Sequence, residues 1–371
     1  TWTFIEDLGV QLSTGLSGYG VWAETASVVE FNGMLNMGAV SMDLTNSPGS
    51  SNPENDPSGY NLAGNPYPSA LDWDVEDGQG WTRTSSNVAL SLYFWNGTQY
   101  ASYVKGGPNP GPNGGTNIIP PHQGFFVKCT SVDGGTLTVD DGARVHSGQP
   151  FYKEENDAIE FIRFQLTGDS LSDEMIVQLN ELASHNVDDL FDAHKMYGCE
   201  EAPQVYSFAL DNTKLSINTI PGVQDGHTIP LGFRAGSEGL YELILSELNG
   251  FEDVPVILED LEEARVIDLK LKGAYKFHAQ AGEFENRFII HLSEDEIPVK
   301  QFSMNIDAPR IFVREKKVVV TADQSLTGSI FIADLLGREI GSDKLGGVDH
   351  FEYDMREKRG WFIVRVTSNG G

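Results

Sequence analysis

The segment Asp72-Trp73-Asp74-Val75-Glu76-Asp77-Gly78 is where side chains of one chemical type crowd most closely. Carboxylates at Asp72, Asp74 and Glu76 fall at alternate positions and Asp77 follows at once. A hard cation such as calcium wants about six to eight oxygens gathered by one tight bend, which this spacing could supply. It departs from the EF-hand loop, because Asp77 stands where that loop needs glycine and Arg83 where it needs a bidentate glutamate. Two readings stay open: a structural calcium ion held by some of Asp72, Asp74 and Asp77 that stiffens a loop, or a solvated acidic turn with Trp73 plugging the core. Neither requires a cofactor.

His185, Asp188, Asp192 and His194 form a second group of possible ligands. The two histidines fit neither the helical i, i+4 zinc pattern nor a cysteine-histidine site, so surface hydrogen bonding is the expectation. Nucleophilic chemistry finds little support. Gly15-Leu16-Ser17-Gly18-Tyr19 lacks the last glycine of a nucleophile elbow, and Cys129 lies in the strand-like run Phe125-Phe126-Val127-Lys128-Cys129. No enzyme activity is expected. Trp81, Tyr100 and Tyr103, beside the loop Gly106–Asn117, are the aromatics that could stack on sugar rings, with core packing as the plainer alternative.

The elements that would position these residues are strands. Val88, Leu90, Leu92 and Phe94 alternate with Ala89, Ser91, Tyr93 and Trp95, so both faces carry bulk and the strand should be central. Leu137 and Val139, Ile162, Phe164 and Leu166, and Ile267, Leu269 and Leu271 alternate with polar residues and predict one buried and one wet face. Asn96-Gly97, Asp133-Gly134, Asp141-Gly142 and Asn249-Gly250 supply turns. Val187–Met196 is the one expected helix, and Asn46–Gly59 and Gly106–Asn117 are loops by composition. The fold class is therefore all-β: two antiparallel, jelly-roll-like sandwich modules over 1–150 and 151–298, and a third β unit over 299–371.

Charge narrows the partners. Residues 151–299 hold 30 of the 54 acidic side chains and 10 of the 25 basic ones, a net −20 within a total of −29. Residues 1–100 contain one basic side chain, Arg83, which speaks against nucleic acid and anionic membrane surfaces. No apolar run is long enough for a transmembrane helix. Cys129 and Cys199 fall in different expected modules and are read as free, buried thiols.

The tail contains Val318-Val319-Val320-Thr321, Ser329-Ile330-Phe331-Ile332, the phrase Asp334-Leu335-Leu336-Gly337-Arg338, and Gly360 before Trp361-Phe362-Ile363-Val364-Arg365-Val366. This combination resembles the type A C-terminal sorting domain of Bacteroidetes proteins exported by the type IX secretion system. The resemblance implies an Ig-like sandwich over 299–371. It also places recognition by the translocon and the surface-attachment machinery on Asp334, Leu335, Leu336, Gly337, Arg338, Gly360, Phe362, Val364 and Val366. Relatives continue into one more basic strand where this chain has Asn369-Gly370-Gly371. Phrases such as Tyr60-Asn-Leu-Ala-Gly-Asn-Pro-Tyr67 and Phe191-Asp-Ala-His-Lys-Met196 resemble a module that precedes that domain in large Bacteroidetes surface proteins. The implied protein is the C-terminal region of an extracellular or outer-membrane-surface protein with an adhesion or structural role, binding glycans or other cell-surface ligands. A carbohydrate-binding appendage of an upstream hydrolase is the alternative.

Overall fold

The computed structural model describes residues 15–20, 34–47, 58–84, 87–146, 159–223, 228–292, 310–314, 317–334, 338–355 and 362–368. The chain is all-β and divides into two compact units, Thr1–Ile297 and Pro298–Gly371. Both modules expected before residue 298 belong to the first unit, and the expected joint at Gly148–Glu155 lies outside the described residues.

The first half of that unit holds β1 (Val40–Leu44), β2 (Tyr60–Gly64), β3 (Ala70–Asp72), β4 (Trp81–Arg83), β5 (Val88–Trp95), β6 (Tyr100–Val104), β7 (Ile118–Ile119), β8 (Gly124–Cys129), β9 (Gly135–Val139) and β10 (Arg144–Val145). They form sheets in the orders β1-β9-β4, β10-β3-β7 and β2-β8-β5-β6. One core gathers Leu44, Leu71, Trp73, Trp81, Leu92, Phe125, Val127, Cys129 and Leu137 from all three. The sheet containing β5 buries both faces. Leu92 joins that core, while Tyr93 and Val104 pack with Phe161, Ile176 and Ile217 of the second half. This is the physical content of the two-sided bulk along Val88–Trp95.

The second half comprises β11 (Phe161–Gly168), β12 (Leu171–Leu179), β13 (Ala193–His194), β14 (Gln204–Phe208), β15 (Lys214–Ile220), β16 (Thr228–Ala235), β17 (Gly239–Asn249), β18 (Ile257–Asp260), β19 (Arg265–Asp268), α1 (Leu269–Lys272), β20 (Ala274–Ala279) and β21 (Gly282–His291). Ten of the strands run in one order, β19-β18-β21-β16-β14-β15-β12-β11-β17-β20, with β13 beside β15. The sheet folds over on itself: Phe233 on β16 and Phe277 on β20 are far apart in that order, yet their rings meet edge to face at 5.2 Å. Pairing is antiparallel except between β12 and β15, which run parallel.

Two local expectations fail here. Ile267, Leu269 and Leu271 do not share a strand face, because Asp268 accepts hydrogen bonds from the backbone N–H groups of Lys270 and Leu271 and caps the single turn α1. Leu271 is left exposed. Val187–Met196 is not a helix either. Asp188 closes one turn by accepting from the N–H groups of Phe191 and Asp192, after which Ala193 and His194 join the sheet as β13.

The second unit is built from β22 (Arg310–Arg314), β23 (Lys317–Asp334), β24 (Glu339–Asp354) and β25 (Phe362–Ser368). The long β23–β24 hairpin changes register between Thr321 and Thr327. The start of β23 pairs with β22 and its end with β25, so β23 is the middle strand along both arms of the bent hairpin, with β24 on its other side. Val318 and Val320 from one arm and Ile330 and Ile332 from the other enclose a common core with Leu345 and Met355. The arms approach so closely that a Cβ on Gly341 would fall 1.8 Å from the Tyr353 hydroxyl.

Candidate functional site

The acidic stretch 72–78 connects β3 to β4, strands of two different sheets. Its carboxylates turn to different donors. Asp72 accepts from the Asp74 N–H at 2.9 Å and the Asn117 side-chain amide at 2.7 Å. Asp74 accepts from the Tyr103 hydroxyl at 2.9 Å and the Gly106 N–H at 2.9 Å. Glu76 pairs with Lys105 at 3.1 Å, and Asp77 pairs with Arg83. Among the described residues no three His, Cys, Asp or Glu side chains gather as a metal cage. The arrangement is a clasp. The Arg83 guanidinium lies 4.1 Å from the centre of the Trp73 ring and 5.4 Å from that of Trp81, and donates to the Trp73 carbonyl. Burial draws the guanidinium down from its ordinary range, against the opposing pull of Asp77.

The three aromatics proposed for sugar stacking do not form an open platform. Trp81 is 0% and Tyr103 1% exposed. The Trp81 indole N–H donates to the Asp72 carbonyl at 2.7 Å, and its ring meets Trp73 edge to face. Tyr100 is half-buried between Trp95 and Phe126, facing the second half. Aromatics at strand ends here bridge sheets, which explains why sequence position alone suggested a surface.

The histidine–aspartate group also separates. Asp192 is buried and accepts from the backbone N–H groups of Asp188 and Thr219, each at 2.7 Å. Burial nevertheless pushes its carboxyl up to about 7. His194 lies between Asp189 at 3.0 Å and Lys128 at 2.7 Å; burial lowers its basicity, while Asp189 works the other way.

Two polar clusters carried no local signal. On the sheet of the second half, Tyr197 and Tyr206 both donate to one oxygen of Glu283 at 2.5 Å, and Lys214 reaches the same oxygen at 2.9 Å. Despite burial, which acts in the opposite direction, these donors hold the Glu283 carboxyl below its ordinary range. The other cluster lies where the halves of the first unit meet. Arg163 pairs with Glu174 at 3.2 Å and Glu247 at 3.0 Å and donates to the Pro110 carbonyl at 2.6 Å. Beside it, Asp173 receives the Asn113 amide at 2.8 Å, the Val205 N–H at 2.6 Å and the ammonium of Lys195. The Gly- and Pro-rich loop is thus an ordered docking element: Gly111 and Gly115 sit where a Cβ would be 2.2 and 1.9 Å from the Ser102 carbonyl oxygen.

In the second unit, Asp334 ends β23 with its backbone paired to Phe362. Arg338 is exposed, and Val364 and Val366 are half-buried against the core. Leu335, Leu336, Gly337 and Gly360 lie outside the described residues. Among the described residues β25 pairs only with β23.

Residues 13–292 match the family model described as a domain of unknown function, DUF8693. The chain belongs to that family. No curated protein and no solved structure matches it. The DUF8693 region spans both halves of the first unit and ends before the bent hairpin begins.

Proposed function

We propose that this chain is the C-terminal region of an exported cell-surface protein, in which residues 298–371 act as a type IX sorting domain and the DUF8693 region is an adhesion or structural module. The observation that carries the reading is the division at Ile297/Pro298: the tail has its own core and its own sheet, as a detachable export signal requires. That β25 pairs with β23 alone among the described residues supports it further. A strand with half-buried Val364 and Val366 alternating with exposed Arg365 and Thr367, and paired on one side among the described residues, suits a receptor that recognises by strand addition. In the first unit, charged and aromatic side chains of the acidic loop are engaged with one another, which suits a load-bearing module better than a catalyst. No helix among the described residues is long and apolar enough to cross a membrane.

The test is a reporter fused to the segment from Pro298 to the natural C terminus, expressed in Bacteroidetes cells with and without a working type IX translocon. Surface display that needs the translocon is expected. Retention of the reporter in both strains would overturn the proposal.

A further inference from the structure

We propose that Lys195 and Asn113 form an intramolecular isopeptide bond, with Asp173 relaying protons between them. Three observations converge. First, one carboxylate touches both reactants: the Asn113 carboxamide nitrogen lies 2.8 Å from Asp173 Oδ1, while Lys195 Nζ sits against Oδ2 of the same group. Second, the nucleophile and the relay are withdrawn from solvent, with side-chain exposures of 2% for Lys195 and 0% for Asp173, while Asn113 is half-buried. Burial draws the Lys195 ammonium down, against the attraction of Asp173, and so favours the neutral amine that is nucleophilic. Third, Asn113 is held from several sides. Its N–H donates to Glu174 at 3.0 Å, its side-chain amide also donates to the Tyr100 carbonyl at 3.0 Å, and the flanking glycines press the loop onto Ser102. A reactive pair immobilised in this way gains the rate advantage of an intramolecular reaction.

The chemistry balances within the chain. Lys195 Nζ attacks Cγ of Asn113; the Nζ–Cγ bond forms and the Cγ–Nδ2 bond breaks. The two protons that the ammonium gives up pass through Asp173 to Nδ2, which leaves as ammonium. No oxidant, reductant or external group is consumed. The product would tie the first half of the unit to the second, since Asn113 precedes β7 and Lys195 follows β13. This is independent of the secretion proposal: it concerns the DUF8693 region alone.

The experiment is the intact mass of the full chain under denaturing conditions, followed by tryptic peptide mapping. The expected result is a protein one ammonia lighter than its sequence, loss of the tryptic cut after Lys195, and a branched peptide joining Asn113 to Lys195. The mass of the unmodified sequence with normal cleavage at Lys195 would overturn the proposal. So would an ammonia loss found on an unbranched peptide, which would mark a succinimide at Asn113-Gly114. Asp173→Asn, checked for retained β-sheet circular dichroism, is expected to restore the full mass; a branched peptide persisting in that variant would refute the relay. Should the variant not fold, the wild-type mass and map decide the question alone.

Discussion

The acidic loop 72–83 and the interface around Asp173 hold similar residue types and put them to different use. In the loop, Asp72, Asp74, Glu76 and Asp77 are neighbours in sequence, yet each turns to a separate donor and none shares a site. At the interface, Asn113, Asp173 and Lys195 are far apart in sequence, yet meet at one carboxylate. Crowding along a chain therefore says little about convergence in space. Gathering requires elements from different strands, and it is topology that brings them.

Substitutions in each region put this contrast to the test. The largest effect is expected for Trp81→Ala, which removes a fully buried ring at the junction of two sheets and should lower unfolding stability by about 3–5 kcal/mol in denaturant melts. A near-neutral result would mean that the loop is a surface feature after all. At the interface, Arg163→Ala strands the partly buried Glu174 and the Pro110 carbonyl, and about 2–3 kcal/mol should be lost. An effect below ~0.5 kcal/mol would contradict the view that this polar contact joins the halves.

Asp192 supplies a pH test. Its carboxyl stands near 7 in the folded chain, above the value of about 3.9 for an unfolded aspartate. Because the folded value is raised, its contribution is fully present below about pH 4 and is lost as pH rises through about 7. Asp192→Asn removes the titration. The stability difference between wild type and this variant should therefore shift against wild type across that window, and a flat difference would count against the buried carboxyl. Smaller still, Tyr197→Phe deletes one of three donors to Glu283 and should cost about 1 kcal/mol. Finally, calcium addition or chelation should leave the melting temperature unchanged, since the loop carboxylates are held by protein donors; a calcium-dependent rise would favour the metal reading of Asp72, Asp74 and Asp77.

Much of the fold was legible in the residues because alternation with period two encodes which face of a strand is covered. Leu137 and Val139 are buried on β9 as expected, and the doubly bulky Val88–Trp95 is covered on both faces as far as Phe94, with Trp95 exposed at its end. Alternation does not say what covers a face, and there the reading stops. Arg163 occupies a position expected to be wet and is buried by a loop that composition marks only as irregular. Leu271 follows the strand period, yet the Asp268 cap turns the backbone into a helix. The candidate site was less legible than the fold: Trp81 and Tyr103 were visible as aromatics near turns, but their burial depends on sheets contributed by distant segments.

The most direct test of the secretory account is the fate of the tail in the native organism. Protein recovered from the cell surface by protease shaving, or from the medium, is predicted to contain the DUF8693 region and to lack residues 298–371 when the translocon is intact, and to be retained inside with the tail when it is absent. Protein found inside the cell in both strains, or carrying an uncut tail without any dependence on the translocon, would contradict the account.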